Sequence, residues 1–309
     1  MPPYRTLDWK QPPPESCQGG AISVGNFDGV HLGHSSLIDV LRKEARIVAG
    51  PAVAISFDPH PLQLLAPDRF QPVLTDPAER ARLLSENGAD EVVLLHTTHD
   101  LLQLSPEDFA GRILHSGFRA KSIVEGFNFR FGHDRAGDVE QLRSLCGSLG
   151  MAFVGVPAFL FEGNSVSSSR VRRVLEVGDV REAAHLLGRN YSIHGTVGTG
   201  QRRGRNLGFP TANLERVQTL LPGDGVYAVL AECDGQYWLG AANIGPNPTF
   251  GEQARKIEVH LLDFNGDLYG RQLRVSFVER IRDTRSFANV DELVEQIQQD
   301  VAAVRAMSR

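Results

Sequence analysis

The sequence predicts an α/β domain built on a parallel sheet, followed by a small antiparallel β-barrel with a C-terminal helix. Three observations carry this. From Ala21 to about Val156, apolar strand-like runs alternate with helix-like stretches, the pattern of βα units. Beyond Gly188 the runs become short and are separated by glycine, proline or Asp-Gly turns, which favours a barrel over further βαβ units. The chain closes with one amphipathic stretch, Asn289 to about Arg305. A chain of 309 residues is long enough for two cores, and the expected division is 1–187 and 188–309.

Taken in order, Met1 to Gly20 holds Pro2, Pro3, Pro12, Pro13 and Pro14 without an apolar centre, so it reads as neither signal peptide nor anchor. Ala21 to Val24 is the first expected strand, and a helix near His34 follows with Leu37, Ile38, Leu41 and Ala45 on one face. Ala52 to Phe57, Glu91 to Leu95, Lys121 to Val124 and Ala152 to Val156 are the next strands. Asp76-Pro77-Ala78-Glu79 and Ser105-Pro106-Glu107-Asp108 each place a cap, a proline and an acid where a helix begins. A helix-like segment spans about Ser169 to Leu187. Ile193 to Val197, Gly225 to Ala231, Tyr237 to Asn243, Ile257 to Leu262 and Leu273 to Val278 are the barrel strands. In the last helix Val290, Leu293, Val294, Ile297, Val301 and Val304 form a stripe behind an Asn289/Glu292 capping pair.

With 41% hydrophobic and 22% charged residues the composition is that of a soluble globular protein. A net charge of −5 and a pI near 6.1 argue against a general nucleic-acid or membrane-surface binder. Cys17, Cys146 and Cys233 are far apart with no CxxC spacing, as for reduced thiols in the cytoplasm. No run approaches membrane-spanning length.

The most informative segment is Gly25-Asn26-Phe27-Asp28-Gly29-Val30-His31-Leu32-Gly33-His34. A strand ending in glycines lets backbone approach a phosphate, and the following helix aims its N–H groups at it. With a glycine at 33 no side chain stands between His31 and His34, so both imidazoles can bond one phosphoryl group as its charge develops. Phe57-Asp58-Pro59-His60-Pro61 ends the next strand at the same sheet edge, where Asp58 or His60 is a ligand candidate. In Gly126-Phe127-Asn128-Phe129-Arg130-Phe131-Gly132 the aromatics are expected to pack, leaving Asn128 for a base or phosphate. Ser167-Ser168-Ser169-Arg170-Val171-Arg172-Arg173 places arginines where a helix dipole favours acids, so an anion should compensate them, and Arg172 is a candidate polyphosphate clamp.

In the second domain, Gly195 to Asn213 combines glycines, arginines and Pro210-Thr211-Ala212-Asn213. Arg202 or Arg203 singly reads as solvated. Thr211 and Asn213, two apart on an extended segment, offer oxygen ligands suited to Mg²⁺ on nucleotide phosphates. Glu258, on the face opposite Ile257 and Val259, is placed to take a proton from an attacking alcohol. His260 shares that face and is expected to make a structural hydrogen bond.

These motifs resemble, in order and across nearly the whole chain, those of the bacterial bifunctional riboflavin kinase/FMN adenylyltransferases, the FAD synthetases. GNFDGVHLGH, FDPHP, GFNFRFG and SSSRVR resemble the family's Rossmann-like HxGH nucleotidyltransferase module. GRNLGFPTAN, GVYAV, NIGPNPTF and EVHLLDFNGDLYG resemble its flavokinase barrel. The resemblance implies that His31 and His34 serve adenylyl transfer, with Gly25, Phe27, Asp28, Gly33, Asn128, Ser169 and Arg172 at that nucleotide. Gly204 and Arg205 would contact the second nucleotide, Thr211 and Asn213 would hold Mg²⁺, and Glu258 would act as base on the ribityl hydroxyl. It implies riboflavin, FMN, FAD and ATP as small-molecule partners, no nucleic acid or membrane, and leaves self-association open. Three positions depart from the family pattern: Ser169 for threonine, Asn247 for the arginine before Pro248, and Glu125 at an apolar position. Two rivals are an enzyme with a single working module and a flavin sensor without turnover. The intact His31/His34 pair argues against a degenerate first module, and Thr211, Asn213 and Glu258 argue against the sensor.

Overall fold

The computed structural model describes residues 4–199, 207–247 and 252–307. By spatial contact the chain separates into two compact units, one formed by residues up to Gln71 with Thr75–Ser167, the other by Pro72–Leu74 with Ser168–Arg309. The change from helix to strand near Gly188 marks a boundary in the sequence, whereas the contacts group the helices Ser168–Glu176 and Val180–Leu187 with the strands that follow.

In the first unit β1 (Arg5–Leu7), β2 (Ala21–Val24), β3 (Ala52–Asp58), β4 (Glu91–His96), β5 (Ser122–Gly126) and β6 (Ala152–Val156) form one sheet, in the order β1-β4-β3-β2-β5-β6. Every pairing in it is parallel. The order reverses direction between β2 and β5, and open parallel sheets bind ligands at the carboxyl ends beside such a point.

Strand alternation divides the core in two. Ile22, Val24, Val53, Ile55, Val93 and Leu95 fill one face. On the other face Ala21, Ala52 and Ala54 let the Leu32–Ile47 helix approach closely with Leu37, Ile38, Leu41 and Ala45. The proposed caps form as the sequence predicts: Asp76 and Ser105 accept from the amides of Glu79 and Asp108.

The proline-rich start adds an element that the sequence did not predict. Arg5–Leu7 adds an edge strand, Arg5 standing opposite Val93, and Arg5 Nε is 3.2 Å from Glu91 Oε2. Three residues carry no readable alternation, so tertiary pairing alone makes this strand. A small β-ribbon, β7 (Leu160–Phe161) with β8 (Asn164–Ser165), was likewise not legible.

In the second unit β9 (Ser192–Gly198), β10 (Ala212–Glu215), β11 (Gly225–Cys233), β12 (Gln236–Asn247), β13 (Glu252–Leu261) and β14 (Gln272–Arg282) close into an antiparallel barrel, ordered β10-β13-β12-β11-β14-β9. Closure removes unpaired edges. Tyr227 and Phe277 fill the interior edge to face, 5.3 Å apart. The Val290–Ala306 helix begins at the expected box, Glu292 N donating to Asn289 Oδ1 and Asn289 Nδ2 to Glu292 Oε1. Val304 is buried and Val301 half-buried against Leu239, Val278 and Ile281, while Val290 at the start of the stripe is exposed. Arg282 grips Asp300 of this helix through Nε and Nη2.

Candidate active sites

At the carboxyl end of β2, Gly25 N still donates to Ile55 O at 2.9 Å, and the chain then turns sharply. Phe27 (φ 46°) and Val30 (φ 40°) are left-handed without being glycine, a conformation that costs energy and collects at functional sites. Burial of both side chains sustains it, together with the buried Asp28, whose Oδ1 accepts from Thr75 N at 3.1 Å, and Gly29 N, which donates to Thr75 Oγ1 at 3.1 Å. Asp28 thus has a structural partner in Thr75.

The helix begins at Leu32, two residues before the position expected, because His31 is its N-cap: Nδ1 accepts from His34 N at 3.3 Å. An accepting Nδ1 leaves the proton of a neutral ring on Nε2. The His31 and His34 rings stack with centroids 3.7 Å apart and 16° between planes, and Phe27 meets His34 edge-on at 5.3 Å. Gly33 has a tighter reason than an open path, since a Cβ there would lie 3.0 Å from His31 Cε1 and 3.4 Å from Val166 O. At Gly25 a Cβ would come within 3.3 Å of the Phe27 ring. The helix's first turn contains no acid, so its N–H groups and dipole favour an anion.

Arg80 was missed from sequence. It is 2% exposed, and its Nη1 and Nη2 donate to Asn26 O and Phe57 O, each at 3.0 Å. It thereby ties the turns after β2 and β3 together. Burial pulls its pKa down, opposed by Asp28, Asp58 and Asp76. The available signal was an arginine beside the apolar helix positions Ala81, Leu83 and Leu84. His60 caps the short helical turn Pro61–Leu65, accepting from Leu62 N at 3.2 Å.

Of the aromatics expected to pack after β5, Phe129 and Phe131 do so, stacked 5.5 Å apart, whereas Phe127 is 57% exposed. Phe127 and the exposed Asn128 line a cavity of about 560 Å³ with Arg130, Arg143 and Pro157. Ser169 and Arg172 lie on the Ser168–Glu176 helix, Ser169 exposed and Arg172 half-buried. The anion expected beside its arginines is, for Arg170, the chain's own Glu182 at 2.7 Å. Val166, just before this helix, is the residue lying against Gly33.

In the barrel, register brings the second constellation together. Asn213 of β10 stands directly opposite Glu258 of β13, which stands opposite Asn243 of β12. Directly opposed residues on adjacent strands share a face, here the one turned away from the buried Ile257 and Val259. Thr211 immediately precedes β10. His260 makes its structural bond, Nδ1 to Pro210 O at 2.8 Å. Asn243 was missed because only the β12–β13 register reveals it. Gly204, Arg205, Arg202 and Arg203 lie outside the described residues, as does the side chain of Asn247. Among the described residues no group of three or more His, Cys, Asp or Glu gathers as a metal site.

A doubly wound parallel sheet with a histidine-capped helix at its switch point, joined to a closed barrel bearing a carboxylate among amides, defines a two-module phosphotransfer enzyme. The FAD synthetase family model matches residues 14–170 and the riboflavin kinase model residues 187–308. The bifunctional riboflavin kinase/FMN adenylyltransferase of Pseudomonas fluorescens is 38% identical, with 94% of each chain covered. That of Escherichia coli (strain K12) is 37% identical over 96% of this chain and 94% of its own. A crystal structure described as a macrolide-efflux protein from Streptococcus pneumoniae is 34% identical, with TM-score 0.86, covering 97% of this chain and 98% of that one. The chain belongs to the bifunctional riboflavin kinase/FMN adenylyltransferase family. It phosphorylates riboflavin to FMN with ATP, then adenylylates FMN with a second ATP, giving FAD and pyrophosphate.

Proposed function

We propose that the two reactions use separate sites, adenylyl transfer at the Gly25–His34 turn and phosphorylation at the Asn213–Glu258 pair. The observation that carries this reading is that the stacked His31–His34 pair lies within one compact unit and the opposed Asn213–Glu258 pair within the other. In the first, the FMN phosphate is already an anionic nucleophile and attacks the α-phosphorus of ATP in line as pyrophosphate leaves. The chemical need is therefore for donors on the charge that develops, supplied by His31, His34 and the helix amides. By resemblance to the family motif, Ser169 and Arg172 of the Ser168–Glu176 helix are assigned to the polyphosphate. Gly25 and Gly33 provide close approach, Phe27 and Asp28 hold the turn, and Asn128 bonds the nucleotide.

In the second, the 5′-hydroxyl of riboflavin attacks the γ-phosphorus of ATP and loses its proton to Glu258 Oε as ADP leaves. Thr211 and Asn213 are neutral oxygen donors, a set that suits Mg²⁺ held largely by phosphates and water. Held there, Mg²⁺ would neutralise charge on the phosphates. We assign Gly204 and Arg205 to the same nucleotide.

The partners we propose are ATP, riboflavin, FMN and FAD, and the compartment the cytoplasm. The described helices include none long and apolar enough to cross a membrane, and all three cysteines are buried free thiols.

The test is to incubate purified protein with riboflavin, ATP and Mg²⁺ and resolve FMN and FAD by chromatography. His31→Ala still makes FMN but loses FAD formation by about 10²–10³-fold. Asn213→Ala stops at riboflavin yet converts supplied FMN to FAD. Loss of both activities in either variant refutes separate sites.

A further inference from the structure

Glu125 has no part in the chemistry above, yet it is a carboxyl group buried at the centre of the parallel sheet, 2% exposed. β2 and β5 pair at Ala21 with Ser122 and at Ile22 with Ile123, where their ladder stops. Beyond that point β2 stays paired to β3 through Val24 and Ile55, and β5 to β6 through Gly126 and Val156. A seam therefore opens between β2 and β5 at the switch point of the sheet. The Val24 N–H faces this seam, since the next amide, Gly25 N, is the one that donates to β3. A buried amide without a partner is costly. Glu125 Oε1 accepts it at 2.5 Å, replacing the missing strand carbonyl with a side chain. The buried Ser23 hydroxyl lies close to the carboxyl. Val24 is the last residue of β2, immediately before Gly25.

We infer that Glu125 is a positioning residue for adenylyl transfer: its carboxyl spans the seam, holds the Val24 amide and so fixes where the Gly25–His34 turn leaves the sheet. The inference rests on assigning that turn to the adenylyl site. The group acts as a hydrogen-bond acceptor. Burial pushes its pKa up, opposed by hydrogen bonds from the Val24 and Gly126 amides. Gln preserves that acceptor and its reach, Asp keeps the acid but falls one methylene short, and Leu removes the acceptor.

The experiment measures kcat and KM for FMN to FAD, and for riboflavin to FMN, in full-length E125Q, E125D, E125L and H31A. Misplacement of a reacting group by about 1 Å costs up to about 100-fold. E125L and E125D should therefore lose about tenfold or more in kcat for FAD formation, with E125Q restored to within about threefold of the parent and riboflavin phosphorylation unchanged in all. Should E125L fail to fold, seen as loss of the first unit's unfolding transition, E125D against E125Q carries the same comparison. Full FAD synthesis in E125D, or E125Q as impaired as E125D, overturns the inference while H31A still reports the site. Retention of FAD synthesis in H31A overturns the site assignment and the inference with it.

Discussion

The two units build their proposed sites in different ways. In the α/β unit the site is made by the path of the backbone: left-handed Phe27 and Val30, a helix capped by His31, and Gly33 against the His31 ring. In the barrel it is made by register, with Asn213, Glu258 and Asn243 aligned across three strands and none of the three in a left-handed conformation. A turn of the first kind is sensitive to a single added methyl. A row of the second kind tolerates neighbouring substitutions and fails when a member is replaced, because the pairing itself survives on backbone hydrogen bonds.

The largest expected effect tests that independence. Glu258→Gln preserves shape and β13 pairing but removes the proposed base, so kcat for riboflavin phosphorylation is expected to fall by about 10²–10⁴-fold. FAD formation from supplied FMN stays at the parent rate. A coupled fall in both, measured in parallel assays, would break the contrast between the units.

Acid–base linkage sharpens the same contrast. Glu125 has a folded pKa raised by burial, so its contribution to stability is complete below the ordinary carboxyl pKa and is lost as pH rises toward the folded value. Across that window the first unit loses stability as pH rises. The nearby Cys146 thiol, pushed up to about 11 by burial and then by Glu125, stays neutral there. Urea unfolding of parent and E125Q between pH 5 and 8, roughly the range of maximal stability for many proteins, should show the slope in the parent and its loss in E125Q. Equal slopes would contradict it.

Gly33→Ala comes next. The added Cβ displaces the His31 ring, costing about tenfold in FAD formation, while the loosened His31 cap, worth about 1 kcal/mol, is offset by the similar helix preference of alanine over glycine, so stability stays near the parent value. Thermal unfolding together with the FMN assay separates this from a folding defect. The smallest effect is at the barrel's closing helix, where Asn289→Ala removes a cap worth about 1 kcal/mol. A lower urea midpoint with both activities intact is the expected result.

Much of this was legible in the chain because local chemistry dictated it. The Asp76, Ser105 and Asn289 caps, the Leu37/Ile38/Leu41/Ala45 helix face and the βα alternation rest on interactions a few residues apart. His31 and His34 were found for the same reason, being three residues apart behind a glycine. Arg80 and Asn243 were not, since one lies 54 residues from the carbonyl it holds at Asn26 and the other joins its site only through pairing with β13. Glu125 was visible as a departure from pattern but not as a bridge, because the opening between β2 and β5 exists only in the folded sheet.

The sequence by itself determined the fold class of each half, the helix starts and which residues are candidates for the two proposed sites, all set by spacing along the chain. Tertiary structure alone decided that Arg5–Leu7 becomes an edge strand, that Asp28 is held by Thr75, and that Glu125 meets Val24 across the sheet. These contacts join residues tens of positions apart, and buried polar groups take whichever partner the packing brings within reach.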